Sequence, residues 1–414
     1  MVKIKEFRGL RPTPEKAEAV ASPPYDVLDS REARIMAGDK PHSFLHVVKP
    51  DIDLPEETDV YDDAVYKKGR ENLDRLIAEG ILIQDSRPSF YFYRLNMGEV
   101  AQTGLVAAAS IEDYENDIIK KHEHTRAEKE TDRIRHVDTL NANTGPVFLT
   151  YRADEEMTSL TEELTGNVPI YDFTANDGVR HTFWKIDDPE ILEKIRGIFA
   201  RIDRLYVADG HHRSAAGTKV GQMRRAANPS HTGEEEYNYF LAVIFPHNQL
   251  HIMDYNRVVG DLNGLSPEEF LRRAAESFEI SSLPGSRPCR SEKPHTFGMY
   301  LAGQWYRLTA RNGSFPANDP VNSLDVSILQ RNLLAPILGI GDPRKDDRID
   351  FVGGIRGLDE LQRQVDGGDA IAFSLYPTSI DQLMEIADRG MVMPPKSTWF
   401  EPKLRSGLII HLLD

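Results

Sequence analysis

Apolar positions fall in short stretches along the whole chain, and their spacing changes from one stretch to the next. Runs rich in β-branched and aromatic residues predict strands over residues 90–95, 147–151, 181–186, 205–208, 239–245 and 250–255. Residues 296–301 and 305–309 are split by Ala302-Gly303-Gln304, the pattern of a hairpin, and residues 370–376 and 408–413 complete the strands. Helical spacing alternates with them. Residues 61–79 carry Val65, Leu73, Leu76 and Ile77 against lysine, arginine and glutamate, and stop at Gly80. Ser266-Pro267-Glu268-Glu269 opens another helix, with serine as N-cap, proline at the first helical position and Glu269 placed to close a capping box. Residues 326–338, 358–365 and 380–388 also read as helices. Strands and helices mix in both halves without a regular strand–helix–strand rhythm. The expected fold class is therefore α+β, with mixed sheets and flanking helices. The turn-rich strip from Asp261 to Ser266 is the expected boundary, giving regions 1–260 and 261–414.

Composition narrows the function classes. The 414 residues carry 66 acidic and 50 basic side chains, a formal charge of −16. That balance argues against a chain whose main task is gripping DNA, which needs a concentrated basic surface. It leaves room for a local basic pocket for one nucleotide or sugar phosphate. Cys289 is the single cysteine, so neither an intramolecular disulfide nor a thiolate cluster is available. No apolar run approaches the ~18 residues of a membrane span. The first residues lack the apolar core of a secretion signal, so a cytoplasmic protein is expected.

Three segments carry chemistry. Residues 204–216 read as strand, glycine turn and helix around Asp209-Gly210-His211-His212-Arg213. A helix N-terminus presents unpaired N–H groups and attracts phosphate. Gly210 lets the backbone approach a ligand, Arg213 can clamp phosphate oxygens, and Asp209 could hold Mg2+ or a hydroxyl. The plainer alternative makes Asp209 a helix cap and leaves the histidines solvated. The second segment, residues 120–136, sets Arg126, Lys129 and Arg133 in a cationic stripe after His122, Glu123 and His124. A solvated helix of charge pairs is its alternative reading. His122, His124 and His136 stand at no zinc-ligand spacing. The polar loop Asn141-Ala142-Asn143-Thr144-Gly145-Pro146 follows. The third segment, residues 393–407, holds Lys396, Ser397 and Lys403 in a proline-stiffened loop suited to an anionic small molecule, or to a structural lid. Near the start, Ser22-Pro23-Pro24-Tyr25-Asp26-Val27 is a rigid turn whose Tyr25 and Asp26 could border the same pocket.

These segments resemble the bacterial and archaeal DUF1015 family, a domain of unknown function. The resemblance is carried by the turn at residues 22–27, the HEHTR and EKETDR runs at 122–133, the NANTGPV loop at 141–147, ADGHHR at 208–213 and MPPKSTWFEPKLRSGL at 393–408. More distantly, residues 209–213 resemble the phosphate-binding motif of the ParB/sulfiredoxin-like superfamily, and archaeal ParB-like free serine kinases carry a similar run. The resemblance implies a ParB/sulfiredoxin-like nucleotide-binding core plus a C-terminal α+β region. Sulfiredoxins have cysteine where His211 stands, which argues against that activity here. The acidic charge and the missing helix-turn-helix pattern argue against DNA partitioning.

The resulting expectation is an enzyme moving a phosphoryl group between ATP or ADP and free serine or phosphoserine, with Mg2+. Gly210, Arg213, Arg126 and Arg133 would hold phosphates, since such chemistry is mostly positioning and charge neutralisation. Glu123 is the expected base, and Asp209, His211 and His212 complete the catalytic set. Tyr25, Asp26, Asn143, Lys396 and Ser397 are expected on the substrate side. No DNA or membrane partner is expected, and a homodimer is allowed. The rival readings are a nucleotide-binding regulator without turnover and a hydrolase of another small phosphoester.

Overall fold

The computed structural model describes residues 1–284 and 287–414. The chain is α+β and forms two compact units, Met1–Leu250 with Pro402–Asp414, and His251–Glu401.

In the first unit a nine-stranded mixed sheet runs in the order Ile119–Lys120, Leu205–Asp209, Val147–Tyr151, Tyr239–Pro246, Val100–Ser110, Phe90–Met97, Arg180–Ile186 and Tyr171–Thr174, with Ile4–Lys5 paired beside Val100–Ser110. The central strands are nearly continuous apolar runs, because both faces are covered. One face packs Phe92, Ala107, Leu149, Val207 and Ile244 against the helices Glu155–Leu164 and Pro189–Phe199. A second core gathers Leu45, Val47, Leu73, Leu76 and Leu140 around the helix Asp63–Ala78. The helix His211–Ala227 lies close on its neighbours. A side chain at Gly217 would meet Phe240 Cβ at 2.9 Å, and one at Gly221 the Tyr237 carbonyl at 2.4 Å. This helix also packs against Ala127–Leu140, which in turn packs against Asp63–Ala78.

The second unit holds a six-stranded sheet in the order Phe278–Ser282, Gln304–Ala310, Thr296–Leu301, Ile371–Ser374, Tyr255–Val259 and Ile349–Gly353. The turn Ala302-Gly303 joins two of these strands, with both residues at positive φ. Cys289 is buried in this unit's core, and burial pushes its thiol up. The strip from Asp261 to Ser266 lies within this unit, and the Ser266 hydroxyl accepts from the Glu269 N–H to start the helix Pro267–Ala274.

Three elements differ from the sequence expectation. Residues 250–255 are not one strand. Asp254 interrupts them between His251–Met253 and Tyr255–Val259, where its carbonyl accepts from Gly354 N–H and its carboxylate from Asn256. Residues 326–338 are not one α-helix, since a turn over Asp325–Leu329 widens into a π-turn over Gln330–Leu334. Within 408–413 the paired strand is His411–Leu412, against Ala142–Asn143. Among the described residues no helix is long and apolar enough to cross a membrane.

Candidate functional site

The strand Leu205–Asp209 is buried through Ala208, and its pairing with Val147–Tyr151 slips at the end. Val207 faces Leu149 while Asp209 faces Phe148, so Ala208 is the extra residue of a bulge that re-aims Asp209. Gly210 follows at φ 97° and ψ 33°, in the left-handed region where a Cβ is strained. A Cβ there would also lie 3.2 Å from Arg213 Nε. The missing side chain thus allows both the turn and the folding back of Arg213 over it. The helix His211–Ala227 begins at once, so its first N–H groups sit at the same turn.

Arg213 is the centre of the arrangement, with a side chain 12% exposed. Its Nη1 donates to the Pro146 carbonyl at 2.5 Å. Its Nη2 stands 3.7 Å from Asp26 and 3.9 Å from Asp209, beyond hydrogen-bond reach of both carboxylates. Its buried Nε has no hydrogen-bond partner among the described residues. Burial opposes the charge, but the two carboxylates offset it and hold the guanidinium protonated. Asp209 is fixed from the other side, where its Oδ2 accepts from Lys403 Nζ at 3.0 Å. Burial would raise this carboxyl, yet Lys403 and Arg213 hold it well below the usual carboxylate range.

Arg213 lines a cavity shared with Tyr25, Arg133, His136, Asn143, Thr144, Gly145 and Ser406. The Arg133 guanidinium lies 4.0 Å over the Tyr25 ring and is paired with Asp132 at 2.7 Å. Asp132 also accepts from the Tyr66 hydroxyl, and burial pushes the phenols of Tyr25 and Tyr66 up. His136 is fully enclosed, its Nε2 3.0 Å from the Val47 carbonyl, and burial lowers it to about 3. Asn143 accepts from the Leu241 N–H at 3.1 Å, so its carbonyl is engaged in holding the loop. The Ser406 backbone exchanges hydrogen bonds with Ser22.

The structure therefore brings Tyr25, Asp26, Arg133, Asn143, Asp209, Gly210 and Arg213 together in the first unit. His212 ties two motifs, its Nε2 accepting from the Arg126 N–H at 3.1 Å. The Arg126 side chain is exposed at the N-cap of Ala127–Leu140, and Lys129 is drawn to the Tyr61 hydroxyl at 3.0 Å. The third motif is divided between the units. Lys396 and Ser397 lie in the second, where the Lys396 carbonyl accepts from Arg257 and the Ser397 hydroxyl donates to the Pro394 carbonyl. Lys403 and Ser406 lie in the first. Thr144 and Ser406 also line the cavity, and their place inside the motifs at 141–147 and 393–408 is the sequence signal for them. His122 is buried edge-on against His211 beside Glu123. His124 is exposed and His136 is engaged with Val47, so the three sequence histidines form no common ligand set.

Comparison with known proteins adds the following. The family model described as "Protein of unknown function (DUF1015)" matches residues 4–327. No curated protein matches the chain. Among solved structures, a free serine kinase mutant in complex with AMP is similar at 15% identity and TM-score 0.36, over 69% of this chain and 84% of that one. A conserved hypothetical protein from Pyrococcus furiosus is similar at 16% identity and TM-score 0.36, over 72% and 93%. C-terminally truncated SbnI from Staphylococcus aureus is similar at 12% identity and TM-score 0.37, over 72% and 82%.

Proposed function

We propose, for a chain that belongs to the DUF1015 family of proteins of unknown function, that the Arg213 cavity binds the phosphates of an adenine nucleotide and transfers a phosphoryl group between that nucleotide and free serine. The observation that carries this reading is Arg213. It is a buried, charged guanidinium whose Nε has no partner among the described residues, set at a helix N-terminus behind a left-handed glycine. Its two carboxylate neighbours keep it charged from 3.7 and 3.9 Å without occupying its donors. A phosphate offers what this group lacks, several close acceptor oxygens. Arg133, across the same cavity, supplies a second guanidinium stacked on Tyr25.

In the forward direction the serine oxygen forms a bond to the γ-phosphorus of ATP as the bridging P–O bond to ADP breaks. The serine proton passes to Glu123. Arg213, Arg133 and the first N–H groups of His211–Ala227 neutralise the transferring oxygens, which is where most of the rate in such chemistry arises. Asp209 does not fit a magnesium site, because one oxygen already holds Lys403 and the other faces Arg213. Its part is to orient those two cations, and Mg2+ would arrive on the nucleotide.

The test incubates the full-length protein and Mg2+ with phosphoserine, with and without ADP, and with serine plus ATP. Serine, phosphoserine, phosphate and nucleotides are followed together. Coupled loss of phosphoserine and gain of ATP, or the reverse, is expected. Phosphate release without nucleotide would replace this reading with a hydrolase, and nucleotide binding without turnover would replace it with a regulator.

A further inference from the structure

Two buried imidazoles beside the phosphate turn have ring nitrogens without partners. His122 is 2% exposed and His211 6%. Neither His122 Nδ1 nor His211 Nε2 has a hydrogen-bond partner among the described residues. The rings meet edge to face, with centroids 4.4 Å apart. A buried ring nitrogen left without a partner carries an uncompensated desolvation cost, and here there are two. Packing alone gives no reason to place both there, since two apolar side chains would fill the space without that cost.

A divalent cation removes the difficulty. The donor atoms of His122, Glu123 and His211 all lie within 4.8 Å of one another. Ligands bound ~2.1 Å from a zinc ion stand roughly 3–4 Å apart, so small side-chain rotations close this set. The backbone of Val207 lies beside the His122 ring. Ligating histidines are commonly oriented by such a backbone contact. Asp209 adds a second carboxylate charge within electrostatic range of both rings. We infer that His122, Glu123 and His211 form a binding site for a borderline divalent cation such as Zn2+ or Co2+, with a coordination position left open. Two imidazoles select such ions over Mg2+, which favours oxygen ligands and retains its water. Three protein ligands are also the number that leaves room for water or substrate.

The site does not depend on the phosphotransfer reading and departs from it at one point. With a cation bound, Glu123 serves as a ligand and is no longer the proton acceptor. The experiment therefore contains neither nucleotide nor serine. The full-length protein is stripped with a chelator, returned to chelator-free buffer and titrated with CoCl2, following visible absorption and heat. One Co2+ per chain is expected, with the strong visible band of a low-coordinate ion, displaced by Zn2+ and not by Mg2+. H122Q and H211N should each weaken binding at least about 100-fold, while H124A at an exposed position leaves it unchanged. Circular dichroism and urea midpoints establish that the variants are folded. If both histidine variants fail to fold, E123Q takes their place and must weaken the band. No visible band, a band that survives these substitutions, or equal competition by Mg2+ would overturn the inference. Co2+ binding as expected here, together with no phosphoryl transfer in the separate nucleotide and serine assay, would refute only the earlier reading.

Discussion

Gly210→Ala separates backbone strain from phosphate binding, because a second glycine in the same unit provides the control. Gly210 has φ 97°, and Gly80, just beyond the helix Asp63–Ala78, has φ 69°. An alanine forced into this region costs about 1–2 kcal/mol at either position. The surroundings differ. A Cβ at Gly80 meets nothing within 4 Å, whereas one at Gly210 sits 3.2 Å from Arg213 Nε and 3.4 Å from its Cζ. The guanidinium must therefore move by a few tenths of an ångström or more. Hydrogen bonds to a charged group contribute about 1.5–3 kcal/mol each, so misplacing one such donor weakens a bound phosphate roughly 10- to 100-fold. Both G210A and G80A should lower the unfolding midpoint by roughly 2–4 °C. In calorimetric titration with ADP, G80A should bind as the unmodified protein does and G210A at least tenfold more weakly. Equal ADP affinity in the two variants, with G210A destabilised as expected, would show that Arg213 does not hold the phosphate.

Two further substitutions test charge placement. Asp325 in the second unit is buried, with Oδ1 accepting from the His295 N–H at 2.8 Å, and burial pushes it up to about 7. The folded chain thus holds this proton more tightly than the unfolded chain, whose carboxyl titrates near 3.9. Its stabilising contribution is full below about pH 4, is lost as pH rises towards about 7 and stays lost above, a change on the order of 4 kcal/mol. D325N should flatten urea midpoints between pH 5 and pH 8 relative to the unmodified protein, and parallel slopes would refute the assignment. Asp26 is 3.7 Å from Arg213 and 40% exposed, so under the proposed function it competes with the phosphate for that guanidinium. D26N should therefore tighten ADP binding several-fold in calorimetry, and weaker binding would make Asp26 a necessary support of Arg213.

The strand, glycine turn and helix around Gly210 were legible because three local signals agree there: an apolar run, a glycine and a helix start free of breakers. The helix Ala127–Leu140 was harder to read, since no apolar stripe precedes Ile134. Its buried face consists of Asp132, His136, Val137 and Leu140. Asp132 is satisfied by Tyr66 and Arg133, and His136 by Val47. Hydrophobic periodicity counts single residues and cannot register a polar residue whose partner lies elsewhere in the chain. The same limit hid the meeting of Lys403 with Asp209, 194 positions apart, and the division of the last motif between two units.

Charge bookkeeping at the cavity explains why the motifs had to be read together. Arg133, Arg213 and Lys403 stand against Asp26, Asp132 and Asp209, a balanced set drawn from four separate segments. In each segment alone the charges look like surface decoration. Assembled, they differ in closeness. Asp132 holds Arg133 at 2.7 Å and Asp209 holds Lys403 at 3.0 Å, but among the described residues Arg213 has no carboxylate nearer than 3.7 Å. A cation kept charged by distant carboxylates retains its capacity for a closer anion. That difference in distance, rather than the number of basic residues, is why Arg213 is the cation proposed to bind phosphate in a chain of net charge −16.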